Sequence, residues 1–238
     1  GPSGMRILAP RADVMIIVDV LRFTTAVCAA LESGATVLPY RWADDGAPAY
    51  AASHSAVLAG LREDGGPSLS PTDLLSAQPG QRIVLPSPNG SALAFAAQEH
   101  GAGHVLAGCL RNATAVAVAA RRLAGRGNGV IAVLAAGERW HGTTGPLRPA
   151  VEDLLGAGAI LAALDPSNSI SGPRCSPEAA AARAAFVAAR PLLHASLEDS
   201  ASGRELLARG WADDVATAAA YDVATVAPVL IDGEFVAA

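Results

Sequence analysis

Residues 14–20, VMIIVDV, form a nearly continuous apolar run of β-branched character. That is the pattern of a strand covered on both faces. TTAVCAALESGA (24–35) then reads as a helix with Gly34 as its stop, and TVLPY (36–40) as a second strand. An Ala-rich helix is predicted over 44–61, after an acidic start. A long polar loop follows over 62–81, with a turn of helix at TDLLS. RIVLPS (82–87) is a strand, PNGS (88–91) a turn and ALAFAAQEHG (92–101) a helix. HVLAGCL (104–110) is a strand, and NATAVAVAARRLAGRG (112–127) a helix capped by Asn112. GVIAVLAAG (129–137) is again a strand. A Gly/Pro-broken loop (138–150) leads into the helix VEDLLGAGAILAALD (151–165). Beyond Asp165 the alternation stops. Residues 177–223 are helical almost throughout, and TVAPVLIDGEFV (225–236) reads as a terminal hairpin turning on Asp232-Gly233.

Strands alternate with helices at least five times, which is the rhythm of an α/β protein. The expected fold is a three-layer α/β/α arrangement with a mainly parallel or mixed sheet, a helical C-terminal part and a terminal hairpin. One domain over 5–238 is expected, with two lobes (5–165 and 166–238) as the alternative. Gly1–Gly4 are set aside as an expression scar.

Composition narrows the chemistry. Half of the 238 residues are hydrophobic but only 4% are aromatic, so the core is built from Val, Leu, Ile and Ala. All 17 basic residues are arginine, which excludes Schiff-base and phosphate-loop lysines. A formal charge of -5 argues against nucleic acid as a partner. Three scattered cysteines suit a reducing cytoplasm better than a disulfide framework. No segment has the length of a membrane span.

In parallel α/β sheets, ligands sit outside the carboxyl ends of the strands. Asp19 and Arg22 follow the first strand. Ser87, Asn89, Gly90 and Ser91 follow RIVLP, and Arg111 and Asn112 follow HVLAGCL. Glu138 and Arg139 follow VIAVLAAG, and Glu152 and Asp153 open the next helix. Each has an ordinary alternative: Asn-Gly is a common turn, Asn112 a good cap, and acids suit a first helical turn. Together they offer two chemistries. Asp19, Glu138, Glu152 and Asp153 are hard oxygen ligands suited to Mg²⁺. Arg22, Arg111, Asn89, Asn112 and helix N-terminal amides can grip an anion. A metal beside anion donors is the layout for hydrolysing a phosphate ester. DVLRFT lacks the second aspartate of a haloacid-dehalogenase opening, since Leu21 stands in its place. The five histidines lack metal-ligand spacing; His141 lies in a rim loop and reads as solvated.

The same segments carry a resemblance. VDVLRFTTAVCAALESGA (18–35), PSPNGSAL (86–93), LAGCLRNATAVA (106–117), AAGER (135–139) and EDLLGAGAIL (152–161) resemble the 2-phosphosulfolactate phosphatase (ComB-like) family. SGRELLARGWADDV (202–215) and VLIDGEFV (229–236) resemble its tail. The resemblance implies an α/β/α fold and a Mg²⁺-dependent phosphomonoesterase. Its substrate would be a small acidic phosphorylated metabolite, and a homodimer is an open expectation. The assigned roles are Asp19 and Arg22 in catalysis, and Asp19, Glu138, Glu152 and Asp153 at the metal. Ser87, Asn89, Gly90, Ser91, Arg111, Asn112 and Arg139 are assigned to the substrate. Water activated at the metal is favoured over a covalent aspartyl-phosphate at Asp19. The departure is LAGLREDGGPSLSP (58–71), where Leu61 replaces a glutamate and Leu69 an asparagine, with Ser70 and Pro71 retained. That loop points to a different phosphate substrate. The rival reading is a catalytically silent relative that binds a small anion.

Overall fold

The computed structural model describes all residues except 42–43, 63–64, 126–128, 141–144 and 166–174. His141 therefore lies outside the described residues. Helix α1 (Pro2–Leu8) precedes strand β1 (Val14–Val18). Helix α2 (Phe23–Glu32), β2 (Thr36–Tyr40), α3 (Ala47–Ser53), β3 (Val57–Leu58) and α4 (Pro71–Leu74) follow. Next come β4 (Arg82–Pro86), α5 (Gly90–Glu99), β5 (His104–Gly108), α6 (Ala113–Leu123) and β6 (Ile131–Ala135). A two-stranded ribbon of β7 (Glu138–Arg139) and β8 (Leu147–Arg148) leads into α7 (Val151–Leu164). The C-terminal part holds α8 (Pro177–Ala189), α9 (Leu193–Glu198), α10 (Ala201–Ala208) and α11 (Ala212–Ala219). It ends in the hairpin β9 (Pro228–Ile231) and β10 (Glu234–Ala237).

The large sheet has eight strands in the order β3-β4-β2-β10-β9-β5-β1-β6. β1 is parallel to β5 and β6, and β4 is parallel to β2 and β3. The hairpin joins these groups through three antiparallel pairings, β5–β9, β9–β10 and β10–β2. Three reversals make the two parallel groups run in opposite senses. The strands therefore do not share one carboxyl edge, as the sequence reading assumed. Asp232 and Gly233 take the positive φ values of 50° and 86° that a tight two-residue hairpin turn needs.

β1 is buried along its whole length because a parallel neighbour lies on each side and helices cover both faces. Its alternation splits the core. Met15 and Ile17 join Met5, Phe23, Val27, Leu93 and Phe235 on the face of α1, α2 and α5. Val14, Ile16 and Val18 join Val116, Ile160, Phe186 and Val215 on the face of α6, α7 and the C-terminal helices. On the second face α7 packs very closely. A Cβ on Gly156 would stand 2.6 Å from Val20, and one on Gly158 would stand 2.2 Å from the Ala182 carbonyl. The missing side chain at Gly156 thus brings the first half of α7 against the exit of β1, and the one at Gly158 lets α8 pack onto α7.

Local readings changed in four places. The helix expected over 44–61 is limited to α3, and Val57–Leu58 pairs with β4 as an edge strand. The loop 138–150 contains the β7–β8 ribbon. Pro2–Gly4, set aside as a scar, open α1, and the Gly1 ammonium donates to the Ala135 carbonyl at 3.0 Å. Asn112 does not cap α6 with its side chain. Asp222 does so from the far C-terminal segment, accepting from Thr114 N at 2.9 Å and Thr114 Oγ1 at 2.7 Å.

Candidate active site

Asp19 leaves β1 at its carboxyl end and is held by a local turn. Its Oδ1 accepts the Phe23 amide at 3.2 Å, and its carbonyl accepts both the amide and the hydroxyl of Thr24. The carboxylate is almost completely buried. Burial, first, and the charge of Glu138, second, push its pKa up to about 7; Glu152 adds to this, and the Phe23 amide and Arg22 oppose it.

Glu138 comes from the exit of β6. Its Oε1 accepts Asn89 Nδ2 at 2.6 Å and the Arg139 amide at 2.7 Å. Asn89 precedes α5, yet its side chain does not cap that helix but reaches across to Glu138. Glu152 lies in the first turn of α7, is 1% exposed, and its Oε2 has no hydrogen-bond partner among the described residues. A buried carboxylate oxygen without a donor is costly unless a cation or water completes it. Asp153 is different. Its Oδ1 accepts the Val20 amide at 2.8 Å and its Oδ2 the Gly137 amide at 2.9 Å. One carboxylate thus ties the exits of β1 and β6 together. Burial and the charges of Asp19 and Glu152 still push its pKa well above the usual range.

These residues form one acidic cluster, with Asn89 attached to it through Glu138. Gly90 lies against Phe23, where an added Cβ would stand 2.2 Å from the ring, so the start of α5 sits directly on the turn that holds Asp19. Ser87 Oγ accepts the Gly90 amide at 3.1 Å, and Ser91 Oγ donates to the Leu85 carbonyl. Both hydroxyls are buried and serve the turn. Arg139 NH1 donates to the Gly145 carbonyl.

The basic residues separate. Arg111 directs Nε and NH2 to Glu32 Oε2 at 3.2 and 2.9 Å, and NH1 to the Thr217 carbonyl. Asn112 is fully buried; its Oδ1 accepts the Cys109 amide, and its Nδ2 donates to the Val226 and Ala107 carbonyls. Both tie β5 and α6 to the C-terminal segment, and among the described residues neither side chain hydrogen-bonds to the acidic cluster. Arg22 pairs neither with Asp19 nor with Glu32. NH1 donates to Asp214 Oδ2 at 2.7 Å, and the guanidinium lies 4.6 Å from the centre of the Trp211 ring. Asp214 also accepts the Ser70 hydroxyl and stands 3.6 Å from Arg62 NH1; Arg62 NH2 in turn stands 3.4 Å from Asp73. The divergent loop 58–71 therefore closes onto Asp214, beside Arg22. Leu61 is exposed, and Leu69 packs against the core.

Asp214, Arg62 and Glu32 carried no mark in the sequence that separates them from surface charges. The one available signal for Asp214 was its place in the tail segment SGRELLARGWADDV.

Cys28 and Cys109 are free and buried together with Ala224, away from the acidic cluster's contacts. Among the described residues, no group of three His, Cys, Asp or Glu side chains forms a ready metal cage. No helix among them is long and apolar enough to cross a membrane.

The fold and site define an α/β/α protein with a buried carboxylate cluster at the exit of its fully buried first strand and an arginine beside it. A family model described as 2-phosphosulpholactate phosphatase matches residues 8–233, and the chain belongs to that family. A "2-phosphosulfolactate phosphatase" of Methanothermobacter thermautotrophicus is 31% identical over 228 residues, 93% of this chain and 88% of the relative. A "Probable 2-phosphosulfolactate phosphatase" of Thermus thermophilus is 37% identical over 155 residues, 62% of this chain and 60% of the relative.

Proposed function

We propose that this protein hydrolyses a small acidic phosphomonoester of the 2-phosphosulfolactate type to the alcohol and phosphate, with Mg²⁺ as cofactor, in the cytoplasm. The observation that carries the reading is the buried acidic cluster of Asp19, Glu138 and Glu152 with Arg22 three residues from its centre. Family membership supports the same reading. The divergent loop 58–71, which closes beside Arg22 through Arg62 and Ser70, supports a substrate whose acidic end differs from that of 2-phosphosulfolactate.

Mg²⁺ needs no complete protein cage. It retains several waters and takes one or two carboxylates together with substrate phosphate oxygens. The unpartnered Glu152 Oε2 and the raised pKa of Asp19 fit such a cation, because a positive charge between them would relieve both. Asp19, Glu152 and Glu138 would hold it, and Asp153, with both oxygens on backbone amides, would keep the loops that carry them in place. Bound there, the cation would supply charge neutralisation and a more acidic water. Asp19, freed of its proton at neutral pH by that charge, is placed to accept a proton from an attacking water. Arg22 would hold equatorial phosphoryl oxygens, and Asn89 would orient Glu138. The leaving oxygen of the broken P–O bond takes up a proton, which balances the one Asp19 accepts from the water, and the products are the hydroxy acid and inorganic phosphate.

The direct test is a panel of small carboxylated phosphomonoesters assayed for phosphate release with and without Mg²⁺. Turnover that chelation abolishes and Mg²⁺ restores is expected. Full turnover in chelated protein would remove the metal. Binding of a panel member without turnover of any would favour a silent anion-binding relative.

A second measurement reads the cluster without catalysis. Asp19 has a folded pKa near 7 against an ordinary 3.8. The folded state holds that proton more tightly than the unfolded chain does. The stability it contributes is therefore full below about pH 4 and is lost as pH rises through about 7. Asp153 shifts in the same direction. Metal-free protein should melt lower at pH 8 than at pH 5.5, and millimolar Mg²⁺ should raise Tm more at pH 8. A melting temperature indifferent to Mg²⁺ at pH 8 would take the cation away from these carboxylates.

A further inference from the structure

Asp214 lies 192 residues from Arg22 along the chain and is fully buried, yet it accepts the only side-chain hydrogen bond of Arg22 among the described residues. NH1 is fixed at 2.7 Å, and the Trp211 ring lies against the guanidinium, so two neighbouring residues of one segment restrain the group. The arginine side chain remains 14% exposed. Its Nε and NH2 have no hydrogen-bond partner among the described residues and are not buried orphans. One edge of the fork is thus anchored, and donors are left over on a group that is partly open. Asp214 is itself anchored by the Ser70 hydroxyl on its other oxygen, with Arg62 at 3.6 Å. A carboxylate serving only as a counter-ion needs no such three-sided hold.

We propose that Asp214 is a positioning residue: it aims Arg22 so that the free donors of the guanidinium meet a tetrahedral oxyanion, with Trp211 and Ser70 as supports. The inference rests on the phosphatase reading for what the anion is, but the anchoring of Arg22 does not depend on turnover. It also assigns work to the C-terminal helical part, which supplies this contact from α11 and from Trp211 just before it. An arginine held in one rotamer by a buried carboxylate loses less freedom when it takes up an anion.

The test is a double-mutant cycle on Arg22→Met and Asp214→Asn, read by calorimetric titration with inorganic phosphate in the presence of Mg²⁺, with melting temperatures alongside. If Asp214 acts through Arg22, Asp214→Asn weakens phosphate binding about tenfold or more, to a level similar to that of Arg22→Met. Adding Asp214→Asn to Arg22→Met then changes affinity little. Wild-type affinity in folded Asp214→Asn, or losses that multiply in the double variant, would overturn the proposal. Should Asp214→Asn fail to fold, Ser70→Ala takes its place: a several-fold loss that vanishes in the Arg22→Met background supports the proposal, and unchanged affinity sinks it. Wild-type protein that does not bind phosphate at all would also sink it. Turnover of the phosphomonoester panel decides the phosphatase reading separately. Turnover with no Arg22–Asp214 coupling rejects only the positioning role, and coupling without turnover rejects only the enzyme.

Discussion

Asp19→Asn is expected to lower turnover by about 10³-fold or more, while the metal-free protein melts no lower than the wild type at pH 8. The first half follows from chemistry. An asparagine amide keeps the shape and can still accept the Phe23 amide that Asp19 accepts at 3.2 Å. It cannot take a proton from water, and it is a poor ligand for a hard cation. A loss at the upper end of that for one preorganised electrostatic group is therefore the least to expect. The second half follows from burial. Ionised Asp19 is unfavourable in its site because it is desolvated and faces Glu138 and Glu152. A neutral isostere removes that repulsion, so stability should hold or rise. The rise in Tm caused by Mg²⁺ should shrink in the same variant. Undiminished turnover would end the role of Asp19. A large fall in Tm would mean that the carboxylate serves the fold.

Arg22→Lys should lower kcat/KM by about 10²-fold or more. The guanidinium is held edge-on by Asp214 at 2.7 Å and face-on by Trp211. Lysine can keep the ion pair with Asp214, but a single ammonium spent on that contact has no fork left for phosphoryl oxygens. The predicted loss is that of one directed donor set in the transition state. A purely structural Arg22 predicts the reverse, because lysine would satisfy most of Asp214 and the residual defect would appear on melting. Turnover and Tm measured on one preparation separate the two. Normal kcat/KM with a lowered Tm would assign Arg22 to the fold.

The local elements and one end of the site were legible in the sequence. The apolar run 14–18 reads as a doubly covered strand because it is short, rich in β-branched residues and offers no polar face to water. Gly34 stops α2 at a φ of 83° that favours glycine, and Asp232-Gly233 turns the terminal hairpin. Periodicity and turn chemistry act over a few residues and can be read over a few residues. Asp19, Glu138, Glu152 and Asp153 could be singled out because strand ends in α/β sheets gather polar groups.

What periodicity cannot encode is which distant segment answers a given charge. The terminal hairpin lies in the middle of the sheet, between β5 and β2, and reverses one parallel group against the other. Nothing in its own pattern says where it inserts, since an apolar hairpin fits any open strand edge. Asn112 looked like a helix cap, but burial against β5 and the C-terminal segment recruited its amide for backbone groups at Cys109 and Val226. Asp222 then caps the helix in its stead. Arg111 looked like an anion donor, and Glu32 took it. Asp153 looked like a metal ligand, and two backbone amides occupy it. In each case a buried polar group must find a partner, and the partner is whatever packing brings within about 3 Å. The sequence by itself determined β1, β2, β4, β5, β6 and the terminal hairpin, its turn, and the acidic residues at the exits of β1 and β6, but not the short strands β3, β7 and β8. Only the tertiary structure decided that Arg22 answers to Asp214, because that contact exists solely where α11 folds back beside the exit of β1.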